Sequence, residues 1–109
     1  MSLLTPHRVQ VLTAGTTNDR VGSAVESWDD ATSEPAGAFV QPTAGTEVHG
    51  PTGTRLEASF LVFLDRPITA EQRLAWRGRT YLVDGVPLDV EDGSGRYHHT
   101  EARLKLVEG

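Results

Sequence analysis

The stretch RLEASFLVFL, residues 55–64, is among the most apolar runs of the chain and carries the main evidence for its fold class. Every second residue from Leu56 to Leu64 is apolar, a period that predicts a β-strand with one buried face. The opposite face begins polar and ends with Leu61 and Phe63. A strand in a lone small domain needs only one apolar face, so these two side chains require cover. Either another segment of the chain or a partner subunit would provide it.

The segment just before this strand, TAGTEVHGPTGT at residues 43–54, consists mainly of Thr, Gly and Pro and has almost nothing to bury. This composition predicts a long flexible loop between two strands. A loop of this length in a small domain is either a tolerated insertion or a functional segment.

Alternating apolar residues and turn formers predict further strands in the rest of the chain. We expect strands over 7–14, 21–28, 38–41 and 97–107, and a hairpin within 74–85. Six or seven short strands with frequent turns are typical of a small barrel or sandwich. We therefore predict an all-β fold, a small barrel formed by a single domain over residues 1–109, with one long inter-strand loop at 43–54.

The segments between these strands carry turn signals and one helix signal. We expect a loop over 29–37, an end to the strand 38–41 at Pro42, one helical turn after Thr69, and a turn over 91–96. The side chains predicted to form the core are Leu56, Phe60, Val62, Leu104 and Leu106.

Composition excludes several classes of protein. The net charge of −5 and the scattered cationic residues argue against a protein that grips nucleic acid, because phosphate contacts need clustered Lys and Arg. The chain has no cysteine, which excludes disulfides and thiolate metal sites. The start of the chain does not resemble a signal peptide, and no run is long and apolar enough to span a membrane. We expect a soluble protein that binds no membrane.

Catalytic and metal-binding patterns are weak. On a strand, His99 and Glu101 project from one face and His98 from the other, so this group offers two ligands where zinc needs three or four. Ser59, His98 and Asp84 include the residue types of a catalytic triad, but no nucleophile motif surrounds the serine. We expect no catalytic residues, no metal, no cofactor and no enzymatic activity.

Four segments resemble one protein family in the right order along the chain. They are MSLLTPHRVQVL at 1–12, VQPTAGTE at 40–47, AWRGRTYLVDGVPLDVED at 75–92 and GRYHHTEARLKLVEG at 95–109. The pattern G-x-x-Y-x-V-D-G, here Gly78, Tyr81, Val83, Asp84 and Gly85, is the most specific part. Together they resemble the head-to-tail stopper proteins, also called head-completion or head–tail joining proteins, of long-tailed phages, with the closest likeness to phages of actinobacteria.

The resemblance implies a structural protein of the virion neck that is assembled in the host cytoplasm. A ring, expected to be a homohexamer, would lie between the portal adaptor and the tail terminator, and packaged DNA would pass through its channel without sequence-specific binding. In this family a long loop between strands is associated with closing the channel. The corresponding residues here are Thr43, Ala44, Gly45, Thr46, Glu47, Val48, His49, Gly50, Pro51, Thr52, Gly53 and Thr54.

Leu61 and Phe63 are then candidates for the subunit interface of the ring. Two alternatives remain open at the level of sequence. The chain is another neck or tail ring protein, such as a tail terminator, or it is a monomeric small β-barrel that binds a peptide or a sugar. A helical adaptor is disfavoured because the predicted elements are strands.

Overall fold

Six antiparallel strands form one sheet that closes on itself. A computed structural model describes residues 4–18, 21–22, 24–51 and 53–108. The strands are β1 (His7–Asn18), β2 (Ala24–Gly50), β3 (Gly53–Leu64), β4 (Arg73–Trp76), β5 (Arg79–Glu91) and β6 (Tyr97–Glu108). Their order is β1-β2-β3-β6-β5-β4, and pairing of β1 with β4 closes the barrel. The prediction of a small all-β barrel with about six strands is therefore confirmed. Over these residues no helix is long and apolar enough to cross a membrane.

The barrel interior is filled by the alternating faces that the sequence predicts for β3 and β6. Val62 and Leu64 of β3 are fully buried, and Leu104 and Leu106 of β6 are buried beside them. Phe60 is half-buried and packs against this core. The side chain of Leu56 lies outside the described part of the structure. The core also takes in Ala102 of β6, Ile68 from the connection between β3 and β4, and residues of the other strands, namely Val9, Val11, Ala36, Ala38, Val40, Leu74 and Tyr81.

Strand β2 is far longer than the sequence predicts and bends along its course. At about 3.3 Å per residue its 27 residues would span roughly 90 Å if straight, whereas the longest dimension of the molecule is 49 Å. Two register shifts mark irregular points, one opposite β1 between Thr13 and Gly15, the other between Pro42 and Ala44. The predicted loop at 29–37 and the predicted strand end at Pro42 are both wrong. Proline lacks a backbone N–H, and a bulge is a place where a strand tolerates that loss.

The turns follow local sequence signals in two cases and depart from them in one. Arg77 and Gly78 both have positive φ angles, 51° and 77°, as a two-residue hairpin turn between β4 and β5 requires, which confirms the predicted hairpin. Asp92 closes the β5–β6 turn through its side chain. The helical turn predicted after Thr69 is wrong. The backbone N–H of Gln72 donates to the Thr69 carbonyl, and the Thr69 N–H donates to the Gln72 side chain, which closes one tight turn. No helix follows, because β4 begins at the next residue.

Residues 43–54 are not an irregular loop, which corrects the sequence-based prediction. They form the end of a β-hairpin in which β2 and β3 pair from Ala44 opposite Ser59 to Gly50 opposite Gly53. Threonine is β-branched and favours strands, and the glycines flank the turn at the tip, so the same composition suits a paired ribbon. Thr52 lies outside the described residues.

Candidate functional site

The hairpin formed by the end of β2 and the start of β3, residues 44–59, is called here the β2–β3 arm. Seven residue pairs hold it together, which corresponds to roughly 23 Å of strand. Its base is supported by β6, which pairs with β3 up to Leu56 opposite Glu108. Beyond that point only three pairs, from Val48–Arg55 to Gly50–Gly53, connect the two strands. Such a two-stranded ribbon is only marginally stable without a further partner.

The tip of the β2–β3 arm is exposed and nearly free of charge. His49 Nδ1 lies 2.9 Å from the Thr54 hydroxyl, and its Nε2 lies 3.8 Å from a Glu47 carboxylate oxygen. Both His49 and Glu47 are well exposed, so this pair contributes little to stability. They are also the only titratable residues in segment 43–54. Arg55, opposite Val48, is the single Lys or Arg of residues 44–59, and strong phosphate binding needs several clustered cations.

Leu61 and Phe63 lie on the outer face of the barrel, in two rows of residues that cross four strands. One row runs through the paired residues Phe39, Phe63, Glu101 and Leu88, and the next runs through Gln41, Leu61, Arg103 and Asp84. Phe63 packs edge-on against Phe39, with ring centroids 6.4 Å apart, and lies 5.7 Å from the His99 ring. Both Leu61 and Phe63 remain half-buried. Among the described residues, neighbouring strands therefore cover Leu61 and Phe63 only in part.

A bulge in β5 exposes two further apolar side chains beside these rows. The register between β5 and β6 shifts between Asp84 and Leu88, and Gly85 adopts a positive φ of 85° there. As a result Val86 is 81% exposed and Leu88 is 62% exposed. Sequence reasoning missed this feature, although Gly85 and Pro87 together are a bulge signal.

A shallow depression lies between the β5 bulge and the base of the β2–β3 arm, and is called here the outer groove. It consists of two adjoining parts of about 400 and 340 Å³, which share Leu61, Asp84 and Arg103. Val86 and Leu88 line one side, and Thr43 and Ala44 line the other. The outer groove therefore joins the two regions that the sequence singled out, the segment 43–54 and the residue Leu61.

The histidine pair on β6 forms a hydrogen-bonded chain that ends at Glu101. Nδ1 of His98 and Nδ1 of His99 are 2.7 Å apart, and Nε2 of His99 is 3.1 Å from Glu101 Oε1. Among the described residues no group of three His, Asp or Glu side chains is arranged to hold a metal ion.

The structure also separates the three residue types of a possible catalytic triad. Ser59 pairs with Lys105, which is seven positions along β6 from His98, or roughly 23 Å. Ser59 and Asp84 do line the same part of the outer groove. His98 is therefore too far from Ser59 for the three residues to act as a Ser–His–Asp triad.

The chain matches one protein family in sequence and resembles solved structures in fold. The family model of the phage head completion protein matches residues 5–105. No curated protein sequence matches the chain at a significant level. Among solved structures, a chain from the virion of a native gene transfer agent particle is similar, with a TM-score of 0.68 at 20% identity. The match covers 95% of this chain and 97% of that one.

A second similar structure is the solution structure of protein SF1141 from Shigella flexneri 2a, with a TM-score of 0.60 at 19% identity. It covers 96% of this chain and 93% of that chain. At these identities the structural likeness shows a shared fold. The family match spans nearly the whole sequence, so the chain belongs to the phage head completion protein family, whose members are structural virion proteins and not enzymes.

Proposed function

We propose that this head completion protein is the head-to-tail stopper, a homohexameric ring in the virion neck between the portal adaptor and the tail terminator. In this proposal the β2–β3 arm projects into the central channel and retains packaged DNA until the tail docks. The ring size and its two neighbours come from the resemblance to stopper proteins of long-tailed phages. The exposed β2–β3 arm, which extends beyond the closed barrel, is the observation that carries the proposal.

The properties of the arm suit a gate. A gate has to hold two positions, so its own contacts must be few, and elements of low local stability supply such movements. Beyond Leu56 the arm is held by three residue pairs, and its described side chains are exposed. The base, by contrast, is fixed in the barrel through the pairing of β3 with β6. Movement is therefore confined to the end that would meet DNA.

The charge of the arm also suits a channel through which DNA passes. The segment 43–54 carries one carboxylate and no Lys or Arg. The arm as a whole, residues 44–59, adds only Arg55 and Glu57, so it lacks the clustered cations that phosphate binding needs, and it would block the channel by its bulk.

Shortening the arm in register tests the proposal. The segment Val48–Arg55 is replaced by Asn-Gly, which joins the paired residues Glu47 and Leu56 by a two-residue turn. All pairing of β3 with β6 is kept, so the melting temperature should change by only a few degrees. Tailless heads assembled with this variant should lose their packaged DNA, measured as nuclease-sensitive DNA.

A matched variant, Glu47→Gln, keeps the length of the arm and removes its carboxylate, and its heads should retain DNA as the parent does. If the shortened, folded protein retains packaged DNA as well as the parent, the arm is not the stopper. An arm that points away from the channel in a neck reconstruction would assign it to the docking of an adjacent ring.

A further inference from the structure

The hairpin formed by β1 and β2, with described residues 14–18 and 24–31, is called here the β1–β2 arm. It carries two unsatisfied carboxylates. Asp29 and Asp30 are exposed and have no hydrogen-bond or ion-pair partner among the described residues. The segment 24–34 contains four acidic residues and no Lys or Arg. Val25, at 43% exposure, adds an apolar side chain to the same arm.

The arm is held at a defined angle to the barrel. The Arg73 guanidinium lies 3.9 Å from the centroid of the Trp28 ring, and the Trp28 indole N–H donates to Glu26 at 2.6 Å. Gly15 lies against Asp30 so closely that a Cβ would come within 2.6 Å of the Asp30 carbonyl oxygen. The arm is therefore presented in a fixed orientation, which lowers the entropic cost of binding a partner.

The outer face of the barrel carries the complementary features. The side chains of Arg103 and Lys105 of β6 are exposed and make no hydrogen bond or ion pair among the described residues, although Asp84 of β5 lies opposite Arg103. Arg103 lines the outer groove, together with the apolar side chains Leu61 and Leu88. The carboxylates of Asp84 and Glu101 line it too, and Glu101 is hydrogen-bonded to His99. One surface of the chain thus places two cations of β6 at a largely apolar depression, and another combines carboxylates with an exposed valine.

We propose that in the assembled ring the β1–β2 arm of one copy lies across the outer groove of the next copy. Asp29 and Asp30 would then pair with Arg103 and Lys105, and Val25 would cover the groove. Because the two surfaces differ, the contact is heterologous, and repeated contacts of this type close into a ring when the rotation permits. The inference rests on the proposed ring and identifies what covers Leu61 in it.

Cysteine cross-linking tests the contact directly, because the chain has no cysteine of its own that would react with the cross-linker. The double variant Val25→Cys with Leu88→Cys, two exposed positions, is incorporated into particles and treated with a short thiol-specific cross-linker. Denaturing gels should then show a ladder of cross-linked chains that ends at the number of subunits in the ring. Each single variant lacks one partner thiol and should give no ladder.

A charge exchange provides a second, independent measurement. Asp29→Lys with Asp30→Lys should weaken self-association of the purified full chain at least tenfold, and so should Arg103→Glu with Lys105→Glu. Combining all four changes should restore association. A control that reverses two other exposed arginines, Arg8→Glu with Arg96→Glu, should leave association close to that of the parent.

The outcomes separate this inference from the proposed function. If rings are present in the neck but the double-cysteine variant gives no ladder and the four changes do not restore association, the arm–groove contact is wrong and the ring proposal stands. If no ring of this chain exists in the particles, the proposed function is wrong and the contact falls with it. A ladder that stops at two chains contradicts the heterologous contact.

Discussion

At the scale of single residues, close packing fixes the geometry of this barrel at a few points. Gly15 is the clearest, because the backbone carbonyl of Asp30 occupies the space where a side chain would begin. That contact lies at the register shift where β1 and β2 leave the barrel. Gly45, in the β2–β3 arm, has no atom within 4 Å of the same position. Both glycines look alike in the sequence, but only Gly15 is at a position with no room for a side chain. The sequence alone does not reveal this difference.

Substitution by alanine separates these two roles. Gly15→Ala should destabilise the protein by about 1–3 kcal/mol, because a backbone atom has to move to relieve the overlap. Gly45→Ala should be neutral or slightly stabilising, because alanine restricts the unfolded chain more than glycine and meets nothing in the fold. Urea unfolding of both variants measures the difference. Equal effects at the two sites would show that the bend at Gly15 does not depend on close contact.

At the scale of elements, the alternation of apolar residues predicted the strands that bury a face and missed those that do not. Val62, Leu64, Leu104 and Leu106 are buried as their period predicts. The segments 29–35 and 41–50, on either side of the apolar residues 36–40, are mostly polar residues, Gly and Pro, so the region reads as two loops around a short strand. In the structure it is one continuous strand, because both ends of β2 extend into arms. An arm outside the barrel has no core to face and leaves no apolar period in its sequence.

The same limit applies to the candidate site. The sequence singled out Leu61 and Phe63, whose apolar character exceeds what one buried face requires. It did not find the outer groove, because Leu88 and Arg103 approach Leu61 only through strand pairing and the bulge in β5. Nor did it find the β1–β2 arm, whose role depends on the unpaired carboxylates of residues 29 and 30.

The β5–β6 turn provides a prediction for the element scale. Asp92 accepts hydrogen bonds from the Ser94 hydroxyl and from the backbone N–H groups of Ser94 and Arg96. These bonds, that of the Ser94 hydroxyl foremost, lower the pKa of the Asp92 carboxyl. The turn is therefore stabilised by ionised Asp92 above the unfolded-state pKa of about 4, and this contribution is lost as the pH falls through the lower folded-state pKa.

The variant Asp92→Asn keeps an acceptor oxygen but does not titrate. It should melt slightly below the parent at pH 7, and the difference in melting temperature should narrow as the pH falls below about 4. As a control, Asp29→Asn changes an exposed carboxylate without a hydrogen-bond partner among the described residues and should show no such narrowing. A gap for Asp92→Asn that stays constant with pH would mean that ionisation does not stabilise the turn.

At the scale of the whole molecule, the groups available for contact with another chain lie outside the barrel core. The core is closed on all sides by the sheet, while the two arms and the outer groove leave strand edges, apolar side chains and charges exposed. The net charge of −5 is also unevenly distributed, since segment 24–34 alone contributes four carboxylates and no cation, whereas Arg103 and Lys105 are exposed on β6. Of these carboxylates Glu34 pairs with Arg66 and Glu26 accepts from Trp28, which leaves Asp29 and Asp30 unpaired among the described residues. In the proposed head-to-tail ring these opposite charges would come together.

Salt should therefore weaken association of the chain with itself while leaving its fold nearly unchanged. The two proposed pairs at each contact, worth about 0.2–1 kcal/mol apiece when exposed, should lower the association constant several-fold as salt rises from 0.05 to 0.5 M. Burial of Val25 against the outer groove should keep some association at high salt. Sedimentation at several salt concentrations measures this, and the melting temperature serves as control. The variant Arg103→Glu with Lys105→Glu should show the reverse trend, since salt would screen its repulsion from Asp29 and Asp30. Association of the parent that does not change with salt would exclude these charge pairs and leave only apolar contact to hold the ring.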